Sequence, residues 1–120
     1  MAPANLSERV SMIDREVQGN DIIVVPRQRI DSIVAFAFEE ISEQAVSDAT
    51  GRVVFDFSTL DYISSAGLRV VLKTAKQCRA SGIAFVLCGL SPMVAKTFDI
   101  TGLSGLLTIV SDRAAALDTR

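Results

Sequence analysis

The chain switches between two kinds of apolar pattern, and each switch marks an element. Near the start, "SMIDREVQ" and "DIIVVP" are extended-type runs separated by Gly19-Asn20, a pair suited to a tight hairpin turn with positive φ. From Asp31 the period lengthens. Val34, Ala37, Phe38, Ile41 and Ala45 recur at i, i+3, i+4, i+7 and i+11, which predicts an amphipathic helix over 32–48, with Asp31 or Ser32 placed to accept its first N–H groups. Ile33 and Phe36 lie beside that stripe and predict a broad core contact.

After a turn at Gly51, "RVVFDF" predicts a short buried strand over 52–57, and "STLDYI" reads as a loop of turn formers with apolar anchors. A second helix starts at Ser64-Ser65. Its predicted buried stripe is Leu68, Val71, Leu72, Ala75 and Cys78; Arg69, Lys73, Lys76, Gln77 and Arg79 cover the outside, and Gly82 is placed as a left-handed stop. "IAFVLCGL" predicts a buried strand, Ser91 and Pro92 open a third helix as N-cap and first helical residue, "LLTIV" predicts a last strand, and "SDRAAALD" a short helix. The predicted order is β-β-α-β-α-β-α-β-α. Strands separated by helices of this length cannot pair as hairpins, so an α/β domain with a small mixed sheet and packed helices is expected. At 120 residues the chain fits one domain, over 11–120, with residues 1–10 expected to be a flexible segment.

Composition narrows the function. The chain is 49% hydrophobic, yet its longest apolar runs fall far short of the roughly 20 residues that a membrane helix needs. The opening residues lack the basic start and apolar run of a secretory signal, so no membrane insertion and a cytoplasmic location are expected. Twelve basic against fourteen acidic residues give a net charge of −2, and six Phe and one Tyr are the only aromatics; a basic, stacking surface for nucleic acid has no support. Cys78 and Cys88 lack CxxC spacing and there is no histidine, which predicts core thiols and no metal site. Neither GxxxxGK[ST] nor GxGxxG occurs, so no cofactor is expected. Asp56 and Asp61 flank the loop before the serines, but the acidic pair of a receiver-like phosphoacceptor is missing. With histidine absent as well, the expectation is that the chain is not an enzyme.

The remaining chemistry is a pair of hydroxyls, Ser64 and Ser65, between an apolar strand and an apolar helix. One reading is a helix N-cap, which needs one hydroxyl. The other is phosphorylation: free N–H groups and partial positive charge at a helix start tolerate a phosphate within the domain, so its effect would fall on a partner docked over that end.

Residues 12–118 carry "RIDSIVAF", the block "DFSTLDYISSAGL" and "LSPMVAKTFDITGL", and with these the chain resembles the STAS domain of bacterial anti-sigma factor antagonists. The resemblance implies the small mixed sheet read above. That family's phosphoacceptor is the serine two places before a Gly-Leu pair, in a block commonly written DSSGL. Anchored on Gly67-Leu68, the acceptor becomes Ser65, with Ser64 as second choice; Ser64 stands where the family has aspartate, and Ala66 where it has a second serine. Asp31, Asp56 and Ser58 match positions around the acceptor. Partner contact is expected from these and from Tyr62, Ser64, Gly67 and Arg69, with the 59–63 loop and the Gly89–Met93 turn alongside. Gly67 also admits a packing role against a neighbouring strand, and Tyr62 a role as loop anchor.

The resemblance further implies a mechanism. The unphosphorylated form would bind an anti-sigma factor that is itself a serine kinase, with ATP bound by that partner, and so free a sigma factor. Phosphorylation at Ser65 would end binding, and a metal-dependent serine phosphatase would restore it. A monomer or weak dimer is expected. The alternative within the family is a non-phosphorylated scaffold, a stressosome component or an accessory subunit of a lipid-transport ATPase. Outside it, a small-ligand module using the apolar surface around Phe36 is a further reading.

Overall fold

The computed structural model describes residues 12–118; the segment 1–10, expected to be flexible, lies outside the described residues. The first two strands, β1 (Ile13–Gln18) and β2 (Asp21–Pro26), form the expected antiparallel hairpin, and Gly19 at its turn has φ 63°. Then follow β3 (Gln28–Ile30), α1 (Val34–Asp48), β4 (Arg52–Asp56), β5 (Leu60–Ile63), α2 (Ser65–Ser81), β6 (Ala84–Cys88), α3 (Pro92–Ile100), a 3-10 turn (Leu103–Gly105), β7 (Ile109–Val110) and α4 (Arg113–Asp118). The main sheet runs β1-β2-β4-β6-β7, with every pair after the hairpin parallel.

Two short strands were not anticipated. The "STLDYI" segment is not simply a loop: Leu60–Ile63 pairs in parallel with Gln28–Ile30 as a separate two-stranded ribbon. Its burial runs buried, exposed, exposed, buried, so it lacks the alternation that betrays a strand. Helix α1 starts at Val34 rather than 32, because the Asp31 carboxylate accepts from the amides of Ile33 (3.0 Å) and Val34 (2.8 Å) and shapes the entry turn.

Alternation along the central strands splits the core between the sheet's two faces. Ile22, Val24, Val53, Phe55 and Leu87 point to the face covered by α1, α2 and α3, while Ile23, Val25, Val54, Val86 and Cys88 cluster with Ala116 of α4 on the other. Burial on both faces explains the unbroken apolar strands. On the larger face Phe55 has no exposed surface, and its ring centroid lies 4.8 Å from Phe85, 5.0 Å from Phe38 and 5.9 Å from Phe57. Cys78 and Cys88 are buried free thiols, and burial pushes each up to about 11, leaving both protonated at neutral pH. Among the described residues no helix is long and apolar enough to cross a membrane.

The two helical stripes differ from expectation in detail. On α1, Val34, Ala37, Phe38 and Ala45 are buried, but Ile33 is 49% and Phe36 77% exposed, so neither joins the core. On α2 the buried line is Gly67, Val70, Val71, Thr74 and Cys78, shifted toward the ribbon, with Leu68 and Leu72 half-buried at its edge. Phe55→Ala is expected to lower the unfolding free energy by about 3–5 kcal/mol in urea titration, since a ring that three others surround leaves a cavity they cannot close.

Candidate functional site

The geometry around the two serines is set by a glycine. A Cβ built on Gly67 would lie 2.7 Å from Ile63 Cγ1 and 2.9 Å from Ile30 Cγ2, so α2 packs onto the ribbon at a distance only glycine permits. That contact assigns Gly67 the packing role. It brings the chain from β5 into α2 close enough for the Ser64 amide to donate to the Ile30 carbonyl at 2.8 Å. Ser64, with extended backbone at φ −80° and ψ 170°, then caps the helix: its Oγ accepts from the Gly67 amide at 3.2 Å.

Ser65 occupies the first helical position and is exposed, and no described residue hydrogen-bonds its hydroxyl. Its amide and that of Ala66 stand where no earlier helical carbonyl can accept them. No acidic residue sits in the first turn. The two serines therefore differ: one hydroxyl holds the helix end, the other faces solvent beside partial positive charge.

Ser65 opens onto a shallow hollow of about 490 Å³, lined by Arg29, Asp31, Ser32, Tyr62, Ser64, Ala66 and Arg69. Five predicted residues meet here: Asp31, Tyr62, Ser64, Ser65 and Arg69, with Gly67 buried beneath. Arg29 and Ser32 were not anticipated. The ribbon register places Arg29 opposite Tyr62, and its guanidinium carbon lies 4.6 Å from the centroid of that ring, which is 42% exposed. A second hollow, of about 330 Å³, adjoins it between α1 and α2, with the Phe36 ring at its rim beside Ala35, Ala66 and Val70. Lys73 bridges the helices there, 3.1 Å from Glu39 and 2.9 Å from Glu43.

The structure does not bring Asp56 and Ser58 into this hollow. Asp56 is 5% exposed; its Oδ1 accepts from the Ser58 amide at 3.0 Å and its Oδ2 pairs with Arg113 Nε at 2.9 Å. Arg113 in turn forks onto both oxygens of Glu16 at 2.9 and 3.1 Å, clasping α4 to β1 and β4. Burial alone would raise the Asp56 pKa, but the Ser58 hydroxyl and amide and the Arg113 guanidinium outweigh it and hold the carboxyl below its ordinary value. Ser58 backs onto the Gly89–Met93 turn, where Gly89 has φ 72° and a Cβ would fall 3.0 Å from that of Ser58.

An open mixed sheet, a separate two-stranded ribbon and an exposed hydroxyl at the start of the helix packed on that ribbon describe a small α/β domain that presents a helix end. The chain matches the STAS domain family model over residues 12–116 and belongs to that family. BtrV of Bordetella bronchiseptica, provisionally described as an anti-sigma factor antagonist, is 51% identical over 65 residues, 54% of this chain; the matched stretch spans 56% of that relative, little more than half its length. A Thermotoga maritima protein, also provisionally described as an anti-sigma factor antagonist, superposes with a TM-score of 0.82 at 18% identity, covering 92% of this chain and 96% of its own. The Bacillus anti-sigma factor antagonist SpoIIAA, in its unphosphorylated form, gives 0.76 at 19% identity over 88% of this chain and 93% of its own. At these identities the structural likeness concerns the fold alone.

Two outcomes follow from the site. Ser64→Ala should cost about 1 kcal/mol in urea titration through loss of the cap, whereas Ser65→Ala should stay within about 0.5 kcal/mol of the parent. Asp56 has a folded pKa below its unfolded one, so its stabilisation is fully present above the unfolded carboxylate value of about 4 and is lost as pH falls through the lower, folded one. Arg113→Gln should therefore be less stable than the parent at neutral pH, with the gap in urea midpoint narrowing as pH falls below the ordinary carboxylate range of about 4.

Proposed function

We propose that this chain is an anti-sigma factor antagonist whose binding to an anti-sigma factor is switched at Ser65. The observation that carries the reading is the division of labour between the serines: Ser64 Oγ is committed to the Gly67 amide, while Ser65 Oγ is exposed and uncommitted. A kinase can reach that oxygen without undoing the helix start. Family membership and the likeness to BtrV support the antagonist role.

In this reading the unmodified protein docks the α2 start, the Tyr62 ribbon and the neighbouring Phe36 rim against an anti-sigma factor that is also a serine kinase. The kinase brings ATP. The Ser65 oxygen forms a bond to the γ-phosphorus, the bond from that phosphorus to the β,γ-bridging oxygen breaks, ADP leaves, and the hydroxyl proton passes to solvent or a base on the kinase. A serine phosphatase with its own metal returns the hydroxyl by hydrolysis. The added charge of about −1.5 to −2 falls on the docking surface, where it repels and must be desolvated. The protein acts by binding and supplies no catalytic group.

Phosphopeptide mapping of the protein isolated from its own cells, with phosphatases blocked during lysis, tests this. Phosphate on Ser65 that varies with growth condition is the expected result, and Ser65→Ala should abolish it. Phosphate that persists on the same peptide in Ser65→Ala would overturn the assignment and move the acceptor elsewhere, with Ser64 the first candidate. Its absence under every condition would overturn the switch and leave the non-phosphorylated scaffold.

A further inference from the structure

Five of the described basic side chains are committed to carboxylates. Arg15 pairs with Asp48, Arg27 with Asp14, Arg52 with Asp21, Lys73 with Glu39 and Glu43, and Arg113 with Glu16 and Asp56. Lys76, Arg79, Lys96, Arg29 and Arg69 have no carboxylate within ion-pairing distance among the described residues, and of these Arg29 and Arg69 are the two next to Ser65. Both line the hollow onto which Ser65 opens. In a chain of net charge −2, two guanidiniums against one carboxylate, Asp31, around Ser65 are a local reversal of the overall balance.

Their placement suits a group on Ser65. Arg69 lies four residues beyond Ser65 on α2, hence on the same face, and an anion four residues N-terminal to a cation is the favourable order along a helix. Arg29 approaches from β3, its guanidinium held against the Tyr62 ring instead of an acid. The acid that lines the hollow, Asp31, has Oδ1 turned to the amides of Ile33 and Val34.

We propose that Arg29 and Arg69 form a seat for a phosphomonoester on Ser65, holding the modification within the domain and withdrawing both cations from the partner. The inference rests on the Ser65 reading above and adds how the switch works. Two guanidiniums and one carboxylate give the bare hollow a charge of +1 by count; a phosphoserine of about −1.5 to −2 reverses that sign. The modified protein thus hides the contacts an acidic partner surface would use, besides presenting bulk.

The full chain with phosphoserine installed at position 65 by genetic encoding provides the probe, read by ³¹P NMR titration. The second ionisation of the phosphate should fall below its value in the same protein unfolded in urea, because nearby cations favour the dianion. Arg69→Gln and Arg29→Gln should each move it back by about half a unit, Arg69→Lys by less, and added salt should shrink the shift in the parent. Equal midpoints in the folded parent and the double Gln variant would overturn the proposal. Should either variant fail to fold by circular dichroism, equal midpoints for folded and unfolded parent would overturn it as well. The two readings fail separately: an unmoved midpoint removes the seat and leaves the Ser65 switch, whereas absence of Ser65 phosphate in cells removes the switch itself.

Discussion

The contact on which this site depends is the one between Gly67 and the two isoleucines beneath it. A helix start held against Ile30 and Ile63 at less than 3 Å from where a Cβ would sit leaves no freedom in how the chain enters α2. The Ser64 amide reaches the Ile30 carbonyl, the Ser64 hydroxyl reaches the Gly67 amide, and Ser65 is turned outward as a result. The ribbon is equally bound to the contact, since β3 and β5 each contribute one of the two isoleucines. An exposed hydroxyl on a fixed frame is what a protein partner needs in order to recognise one serine among several.

Electrostatics then separate a structural end from a presenting one. On the sheet face bearing α4, Asp56, Arg113 and Glu16 form a closed cluster in which a nearly buried carboxylate is offset by a guanidinium and two groups of Ser58. Its charges face one another and leave little for a ligand. Around Ser65 the two guanidiniums share the hollow with one carboxylate, Asp31, and Arg29 lies against the Tyr62 ring. The exposed Lys73 bridge to Glu39 and Glu43 contributes little to stability, as surface pairs do, yet it marks the far end of the surface that Phe36 and Arg69 begin.

Much of this was legible in the sequence, for identifiable reasons. Helix periods, the Gly19 turn, the Ser91-Pro92 start and the Gly82 stop are local, and local signals gave the element order apart from the ribbon. Ser91 accepts from the Val94 amide, and Gly82 adopts φ 70° as anticipated. The β3–β5 pairing was not legible because it joins segments some thirty residues apart, β5 buried only at its two ends and β3 only at Ile30. Arg29 was missed for the same cause: it gains meaning only through its register opposite Tyr62. The apolar arc on α1 could not say which edge would face solvent, because the line along which α2 packs decides that, and Phe36 fell outside it. Asp56 was placed near the acceptor by its position in the motif, but its distant partner Arg113, 57 residues on, draws it into a separate cluster.

The two serines answer opposite demands, and that is why one hydroxyl would not suffice. A residue that caps a helix must keep its oxygen as an acceptor for a backbone amide, so a bulky group there would compete with the bond that fixes the helix start. A residue that carries a removable charge must have an oxygen with no structural duty, close to donors that can receive the charge. Under the proposed switch, placing the two side by side would let the domain keep its frame while its surface changes sign. Ala66, the next residue, has no hydroxyl to offer, so at the start of α2 the proposed modification has Ser65 as the one hydroxyl that the cap does not use.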